Sequence, residues 1–274
     1  MKLAIGLVLS HGFPAPSAFW DSYETMLHQV YTGAINQDLP AHLQIEHACR
    51  FKSEGFPVDM ARNEIVAKFL AHGDDALWFI DADHVFPPDG LVRLLRHDVA
   101  FVSGRYHMRR PPFHVAAYVK HRTLDGPHRY APIHWGQGLI EVERGGAGCL
   151  LVRREVFVAI KSRIGHNWFR YQRGPDPPHD FTVSEDFWFW QQAREAGYQT
   201  WLDWDCEVKH LQQFPIDRTW NEQYLSAMLK ELSALPPDGR EGMINTLIAC
   251  GYPEGLLLST GDRIPNYVIT PGER

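Results

Sequence analysis

Two aspartates stand one residue apart directly after an apolar segment, and this pattern can hold a cation. Residues 76–80 read Ala-Leu-Trp-Phe-Ile, which is typical of a strand buried on both faces, and Asp81-Ala82-Asp83 follows at once. The spacing directs both carboxylates to the same side, at the end of a strand where open α/β sheets bind ligands. Because two ionised carboxylates repel, a cation is expected between them, and oxygen ligands of this kind suit Mg²⁺ or Mn²⁺. The alternative is a pair of turn residues before the prolines that follow.

A second acidic pair, Glu185-Asp186, follows Ser184, which is a good helix N-cap. The positive end of a helix dipole is expected to lower the pKa of a carboxylate and to keep it ionised, as a general base must be. The alternative is that the two acids only complement the helix dipole, and for Glu185 this is the preferred interpretation.

Three further side chains could serve such a site or be structural. Arg62 is predicted in the first turn of a helix capped by Asp59, where anions are attracted, although it could also be a surface arginine without a partner. His210 ends the predicted strand 206–210, and taken alone it favours a structural role. His84 comes directly after Asp83, so in an extended chain it faces the other way and is expected to be structural.

The elements that must position these residues alternate in type through the first 104 residues. Apolar runs predict strands, and apolar residues at helical spacing predict helices, the first of them capped by Ser17. After Ser103 the alternation gives way to proline-rich loops, and it resumes near Cys149. The predicted order is strand 2–10, helix 17–30, strand 42–49, helix 59–72, strand 76–80, a helix after 90, strand 99–103, strand 149–153, helix 154–163, helix 185–196 and strands 200–204 and 206–210. This order indicates a doubly wound α/β sheet.

Composition narrows the class of protein. The chain has 274 residues and a net charge of −6, which is typical of a globular domain. Its first apolar run, Leu3–Leu9, is far shorter than the roughly 20 residues that cross a bilayer, so no membrane span is expected. The four cysteines form no close pair. They predict reduced thiols of a cytoplasmic protein rather than a disulfide or zinc framework.

Five short motifs in a fixed order resemble those of the GT-A glycosyltransferases, especially the enzymes akin to family 2. They are Ala61-Arg62-Asn63, Phe79–Asp83, Gly146–Cys149, Ser184–Phe187 and Val208–His210. The resemblance covers about residues 1–212. It implies a GT-A fold with a Rossmann-like, mostly parallel central sheet flanked by helices. Beyond it, apolar residues at helical spacing in 221–232 and 241–250 predict a small helical C-terminal extension at 213–274.

The resemblance also implies roles for individual residues. Asp81 and Asp83 would hold Mn²⁺ or Mg²⁺ on the diphosphate of a nucleotide-sugar, a UDP-sugar in the first place, and His210 would be a third metal ligand. Asp186 would take the proton from the acceptor hydroxyl. Residues 1–104 would form the nucleotide-sugar half of the domain.

Other positions are expected to touch the donor. Ser10 and His11, just past the first strand, stand where the loop for the nucleotide base begins in this family. Arg62 is a candidate partner of the donor phosphates. Arg105, Arg109 and Arg110 follow the fourth strand; one of them is expected to reach the diphosphate, while the others face the acceptor.

Charge is distributed unevenly along the chain, and this bears on the acceptor. Residues 101–175 contain thirteen Lys and Arg against four Asp and Glu, a balance of +9, so the remainder carries −15. This segment lies in the acceptor-binding half, residues 105–212. It predicts an anionic acceptor, with a hydroxylated base in DNA as one candidate. A cell-surface glycan is the competing acceptor, and a solvated basic face that balances acidic neighbours is the plainer explanation.

Two other functions fit part of the pattern. Asp81-x-Asp83 after an apolar strand also suits a phosphatase of the haloacid dehalogenase type, but that class normally carries the motif on its first strand. It also needs a later GDxxxD, whereas Gly261-Asp262 is followed by Asn266. The other is a non-catalytic module that binds a nucleotide or a carbohydrate, against which Asp186 argues.

Overall fold

The computed structural model describes residues 1–9, 15–54, 57–109, 113–120, 130–172 and 183–212, together with residue 230. Among the described helices, the longest have 15 residues, and none is long and apolar enough to cross a membrane.

Residues 1–109 and 114–212 form one compact unit, which holds all the elements described below. The helical extension expected at 213–274 lies, apart from Lys230, outside the described residues. The domain boundaries, including the division at residue 104, stay predictions.

The described residues of this unit form twelve strands. They are β1 (Lys2–Leu9), β2 (His47–Glu54), β3 (Ala76–Asp81), β4 (His84–Val85), β5 (Phe101–Arg105), β6 (Ala117–Lys120), β7 (Tyr130–Pro132), β8 (Leu139–Glu141), β9 (Arg144–Gly145), β10 (Cys149–Arg153), β11 (Trp201–Glu207) and β12 (Lys209–His210).

Five α-helices accompany the strands in the part of the chain that the structure describes. They are α1 (Ser17–Tyr31), α2 (Val58–His72), α3 (Gly90–Arg96), α4 (Arg154–Ile164) and α5 (Glu185–Glu195). The strand predicted at 42–49 begins only at His47, because a short 3₁₀ helix, Ala41–Leu43, occupies the start of that segment.

Helix ends agree with the sequence at α5 and differ at two other helices. Ser184 caps α5, and its side chain accepts a hydrogen bond from the Phe187 N–H. Helix α1, however, follows Pro16, and α2 follows Pro57. In both cases an extended proline precedes the first helical residue, and no side chain caps the helix. Ser17 and Asp59 therefore lie inside their helices.

The central sheet has seven strands in the order β2-β1-β3-β10-β5-β11-β8. β2, β1 and β3 are mutually parallel, as are β5 and β11, whereas β10 is antiparallel to β3 and β5, and β8 is antiparallel to β11. Five strands therefore share one direction. The predicted α/β architecture, a mostly parallel sheet flanked by helices, is confirmed.

Strand β3 explains how the layers are held together. Its residues from Leu77 to Ile80 are fully buried, and they alternate between the two faces of the sheet. Leu77 and Phe79 pack in the cluster that contains the apolar sides of α2, α4 and α5, and Trp78 and Ile80 pack in the cluster of α1 and α3. Each such side chain contributes roughly 1.5–3 kcal/mol of burial free energy. The same alternation carries Asp81 to the α2–α5 side.

Candidate active site

The carboxyl end of β3 is where side chains from separate segments meet. The Asp81 N–H donates to the Gly148 carbonyl at 3.0 Å, just before β10 begins. A Cβ at Gly148 would stand 2.4 Å from His84 Cε1 and 2.9 Å from Asp81 Oδ2. Glycine is needed here because the backbone, Asp81 and His84 approach one another too closely for any side chain.

Arg62 of α2 lies at the centre of a buried group of carboxylates. Its side chain is 2% exposed. Nη2 donates to both Asp81 oxygens at 3.1 and 3.0 Å, and Nη1 donates to Glu185 Oε1 at 2.8 Å and to Asp186 Oδ1. One guanidinium thus binds three carboxylates, which come from β3 and from the first turn of α5.

This arrangement corrects the expectation for Arg62. The helix begins at Val58, so Arg62 is its fifth residue and lies beyond the first turn. Its side chain is buried, and both terminal nitrogens bind carboxylates, so a direct contact with donor phosphates does not fit this arrangement. The physical reason is that a fully buried guanidinium must find its anions within the protein.

The charges of this group change the proton affinity of Asp186. Burial raises the pKa of Asp186 well above its usual range; Arg62 opposes this, and Glu185 and Asp81 add to it. The predicted lowering by the helix N-terminus is therefore wrong, because three carboxylates share a single positive charge in a poorly solvated place. Burial disfavours the charge on Arg62, but the carboxylates outweigh it and raise the pKa of the guanidinium.

Asp83, two residues further on, belongs to a different cluster. Its Oδ1 lies 3.1 Å from His84 Nδ1, and its Oδ2 lies 3.4 Å from His210 Nε2 and 2.8 Å from Arg109 Nη1. Burial disfavours ionisation of Asp83, but its contacts with His210 and His84 outweigh burial and lower its pKa. This cluster is partly open, because Asp83 is 31% exposed.

The two histidines are brought together by the antiparallel pair β4–β12, in which His84 stands opposite His210. Their rings stack with centroids 4.4 Å apart. His210 Nδ1 lies 2.8 Å from the His107 carbonyl, which can only accept a hydrogen bond. This contact places a proton on Nδ1, so in the neutral imidazole Nε2, the nitrogen that faces Asp83, has a lone pair that a metal ion can bind.

These residues fit a divalent cation. Asp83, His84 and His210 each offer a ligand atom, and these atoms lie within 4.8 Å of one another. Both ring nitrogens of His84 are buried, and neither has a partner in hydrogen-bond geometry, although Nδ1 is close to Asp83. A bound metal ion would satisfy the orphaned nitrogen of His84 and the Asp83 carboxylate, and the neutral His210 imidazole can offer Nε2 as a further ligand.

Two expectations about this motif need correction. His84 was expected to face away from Asp83, but it faces the same cluster, because the strand ends at Asp81 and the chain turns before β4. Asp81 was expected to share a cation with Asp83. Instead Asp81 binds Arg62 and is outside the group of close ligand atoms. The repulsion between the two aspartates is relieved by different partners.

Tyr106 is a member of the site that the sequence did not indicate. Its hydroxyl accepts a hydrogen bond from the Gly148 N–H at 3.1 Å, and its ring lies edge-on against His84 and His210. Burial, followed by the charges of Asp186 and Asp81, raises the pKa of Tyr106 well above its usual value. The tyrosine therefore stays neutral and supports both clusters. An aromatic residue three positions after the predicted strand 99–103 was the available signal.

Of the other residues predicted to contact the donor, one lies at the Asp83 cluster and one points away from it. Arg109 lies at the Asp83 cluster and is half exposed. Arg105 points away from it: its Nε donates to the Trp204 carbonyl at 2.8 Å, and it pairs with Glu207. Ser10, His11 and Arg110 lie outside the described residues.

No protein-family model and no curated protein matches the sequence. Among solved structures, the chain is similar to A197 from STIV, with 15% identity, a TM-score of 0.39, and coverage of 80% of this chain and 97% of that chain. It is also similar to GalNAc-T7 with UDP, GalNAc and Mn²⁺, with 10% identity and a TM-score of 0.49; the match covers 78% of this chain and 43% of that chain. A third similar structure is the catalytic domain of Drosophila beta1,4galactosyltransferase 7 with xylobiose, with 17% identity and a TM-score of 0.39; the match covers 77% of this chain and 71% of that chain. Identities this low leave the function to be inferred from the site itself.

Proposed function

We propose that the chain is a metal-dependent glycosyltransferase of the GT-A type, which moves a sugar from a nucleotide-sugar to an acceptor hydroxyl. A UDP-sugar is the donor proposed first. The observation that carries the proposal is the meeting of two unlike clusters at the end of β3. One is the Asp83–His84–His210 group of metal ligands, and the other contains Asp186 bound to Arg62.

Asp83, His84 and His210 would hold the divalent ion. Two imidazoles favour Mn²⁺ over Mg²⁺, which prefers a shell of oxygen ligands. When bound, the ion would supply Lewis acidity that stabilises the negative charge on the departing diphosphate. Arg109 is the proposed contact for the donor phosphates, because its side chain is half exposed and its Nη1 lies 2.8 Å from Asp83 Oδ2.

Asp186 would take the proton of the acceptor hydroxyl. A general base must be ionised; burial raises the pKa of Asp186 and so disfavours this form, whereas Arg62 favours it. Arg62 is proposed here as a positioning residue: its two nitrogens hold Asp186 beside Glu185 and Asp81. Activity is therefore expected to rise with pH through the raised pKa of Asp186.

The acceptor is proposed from the charge of residues 101–175. This segment carries a net charge of +9, which suggests a polyanionic acceptor. DNA that contains a hydroxylated base is one candidate. In the described residues, however, four arginines of this segment pair with acids outside it. The pairs are Arg105–Glu207, Arg109–Asp83, Arg153–Asp98 and Arg163–Glu195. This pairing favours the second candidate, a surface glycan. Stimulation of donor turnover by neutral saccharides, with no response to DNA at low salt, would exclude the nucleic acid.

The rival functions are less well supported. A phosphatase of the haloacid dehalogenase type needs a free aspartate nucleophile, and both Asp81 oxygens accept hydrogen bonds from Arg62. A non-catalytic module would bind the nucleotide-sugar without hydrolysing it.

The cytoplasmic location stays a prediction from cysteine usage.

The test is turnover of a panel of nucleotide-sugars with Mn²⁺, measured as release of nucleoside diphosphate. Asp83→Ala is expected to abolish metal-dependent donor binding. Asp186→Ala should leave donor affinity nearly intact and remove transfer. Asp38→Ala, at an exposed aspartate, is the matched control and should behave as wild type. Absence of turnover with every donor, or equal loss of binding in both site variants, would contradict the proposal.

A further inference from the structure

A cysteine, a histidine and an aspartate meet away from the proposed active site, towards the other end of β3. Cys49 lies in β2, His72 ends α2, and Asp74 precedes β3. Asp81 ends the same strand that Asp74 precedes, so the two clusters lie at opposite ends of it.

Three atoms of these residues lie within ligand spacing of one another. Cys49 Sγ is 3.2 Å from Asp74 Oδ2 and 3.8 Å from His72 Nδ1, and His72 Nδ1 is 2.8 Å from Asp74 Oδ2. In a tetrahedral zinc site with bonds of about 2.0–2.3 Å, neighbouring ligand atoms are about 3.3–3.6 Å apart. Small adjustments of the side chains would therefore place all three around one ion.

Burial supplies a second, independent reason to expect a ligand. The Asp74 side chain is fully buried, and its Oδ1 has no hydrogen-bond partner among the described residues. Oδ2 is the oxygen that faces Cys49 and His72, and a buried carboxylate is costly unless a cation compensates its charge. His72 is 46% exposed, so an ion can enter from solvent.

The ring of His72 is also held in place. His47 stacks on it with centroids 6.1 Å apart, and Phe51 lies edge-on at 5.8 Å. His47 is not in the group of close ligand atoms, which contains only Cys49, His72 and Asp74. Its role is contact with the ring, which makes it a useful control.

We propose that Cys49 Sγ, His72 Nδ1 and Asp74 Oδ2 bind Zn²⁺, with solvent in the fourth position. A thiolate and a carboxylate would balance the two positive charges, and Nδ1, which donates to Asp74 in the metal-free form, would give up its proton so that the neutral imidazole carries one on Nε2. In the metal-free form, burial and the Asp74 carboxylate raise the pKa of the Cys49 thiol to about 12. The thiol is then protonated, and one proton passes to solvent for each ion bound. The ion would join β2 to the connection between α2 and β3.

The experiment is a titration of the purified, metal-free full chain with Co²⁺, followed by displacement with Zn²⁺. A cobalt–thiolate charge-transfer band is expected in wild type, and Zn²⁺ should abolish it. Cys49→Ser should remove the band, and His72→Gln should raise the Kd for Zn²⁺ by at least about 100-fold. His47→Gln should keep the Kd within about threefold. Asp83→Ala should leave the band unchanged, because the proposed active-site ion has no sulfur ligand.

The possible outcomes separate this proposal from the proposed function. Absence of the band in wild type, its persistence in Cys49→Ser, or an equal loss of affinity in His47→Gln would overturn the zinc site. The triad would then be a hydrogen-bonded cluster only. His72 is partly exposed, so its variant is expected to fold even if Cys49→Ser does not. Donor turnover does not enter this readout, so either proposal can fail alone.

Discussion

The two aspartates of one Asp-x-Asp motif belong to regions of opposite character. Asp81 lies in a closed group where a buried arginine binds three carboxylates, and negative charge is in excess. Asp83 lies in a partly open group where two imidazoles and an arginine surround one carboxylate. The first region can store a proton, and the second can accept a metal ion. A short motif can thus place adjacent functions on either side of a single turn.

Among the variants that test this difference, removal of Arg62 should have the largest effect on the free energy of unfolding. Arg62→Ala leaves three buried carboxylates without their cation, and we expect a loss of about 3–5 kcal/mol in the free energy of unfolding. Chemical denaturation at pH 7 measures it. Arg109→Ala, which breaks the half-exposed pair with Asp83, is the control from the open region and should cost less than about 1 kcal/mol. Similar costs for the two variants would show that the regions do not differ in burial.

Gly148 joins the two regions, and a methyl group there should disturb both. Because a Cβ would meet His84 at 2.4 Å and Asp81 at 2.9 Å, we expect Gly148→Ala to cost about 1–3 kcal/mol of stability and to weaken Mn²⁺ binding. Gly90→Ala is the control, since its Cβ meets nothing closer than 3.2 Å. Unchanged stability and metal affinity in Gly148→Ala would contradict the close approach.

The raised pKa of Asp186 should be visible in the pH dependence of stability. A carboxylate whose folded pKa is raised binds more protons folded than unfolded, so its contribution is present at low pH and is lost as pH rises through the folded pKa. Each full pKa unit of elevation corresponds to about 1.4 kcal/mol. Asp186→Asn should therefore gain stability over wild type as pH increases, measured by denaturation from pH 5 to 8. A gain that grows towards low pH instead would reverse the assignment.

Sequence reasoning predicted the elements of the site better than its contacts. The apolar run of β3 and the cap at Ser184 could be read directly, because local pattern determines both. Arg62 was misplaced because Pro57, not Asp59, precedes the helix, and because burial by α5 is a long-range property. His84 was missed because alternation of side chains holds only while a strand continues, and β3 ends at Asp81.

The measurement that tests the central claim most directly is calorimetric titration of Mn²⁺ into wild type, Asp81→Asn and Asp83→Asn. If the ion belongs to the cluster of Asp83, His84 and His210, Asp83→Asn should raise the Kd for Mn²⁺ by at least about 100-fold, while Asp81→Asn stays within about tenfold of wild type. Equal losses in the two variants would mean that both aspartates bind one ion, and the division of the motif would be wrong.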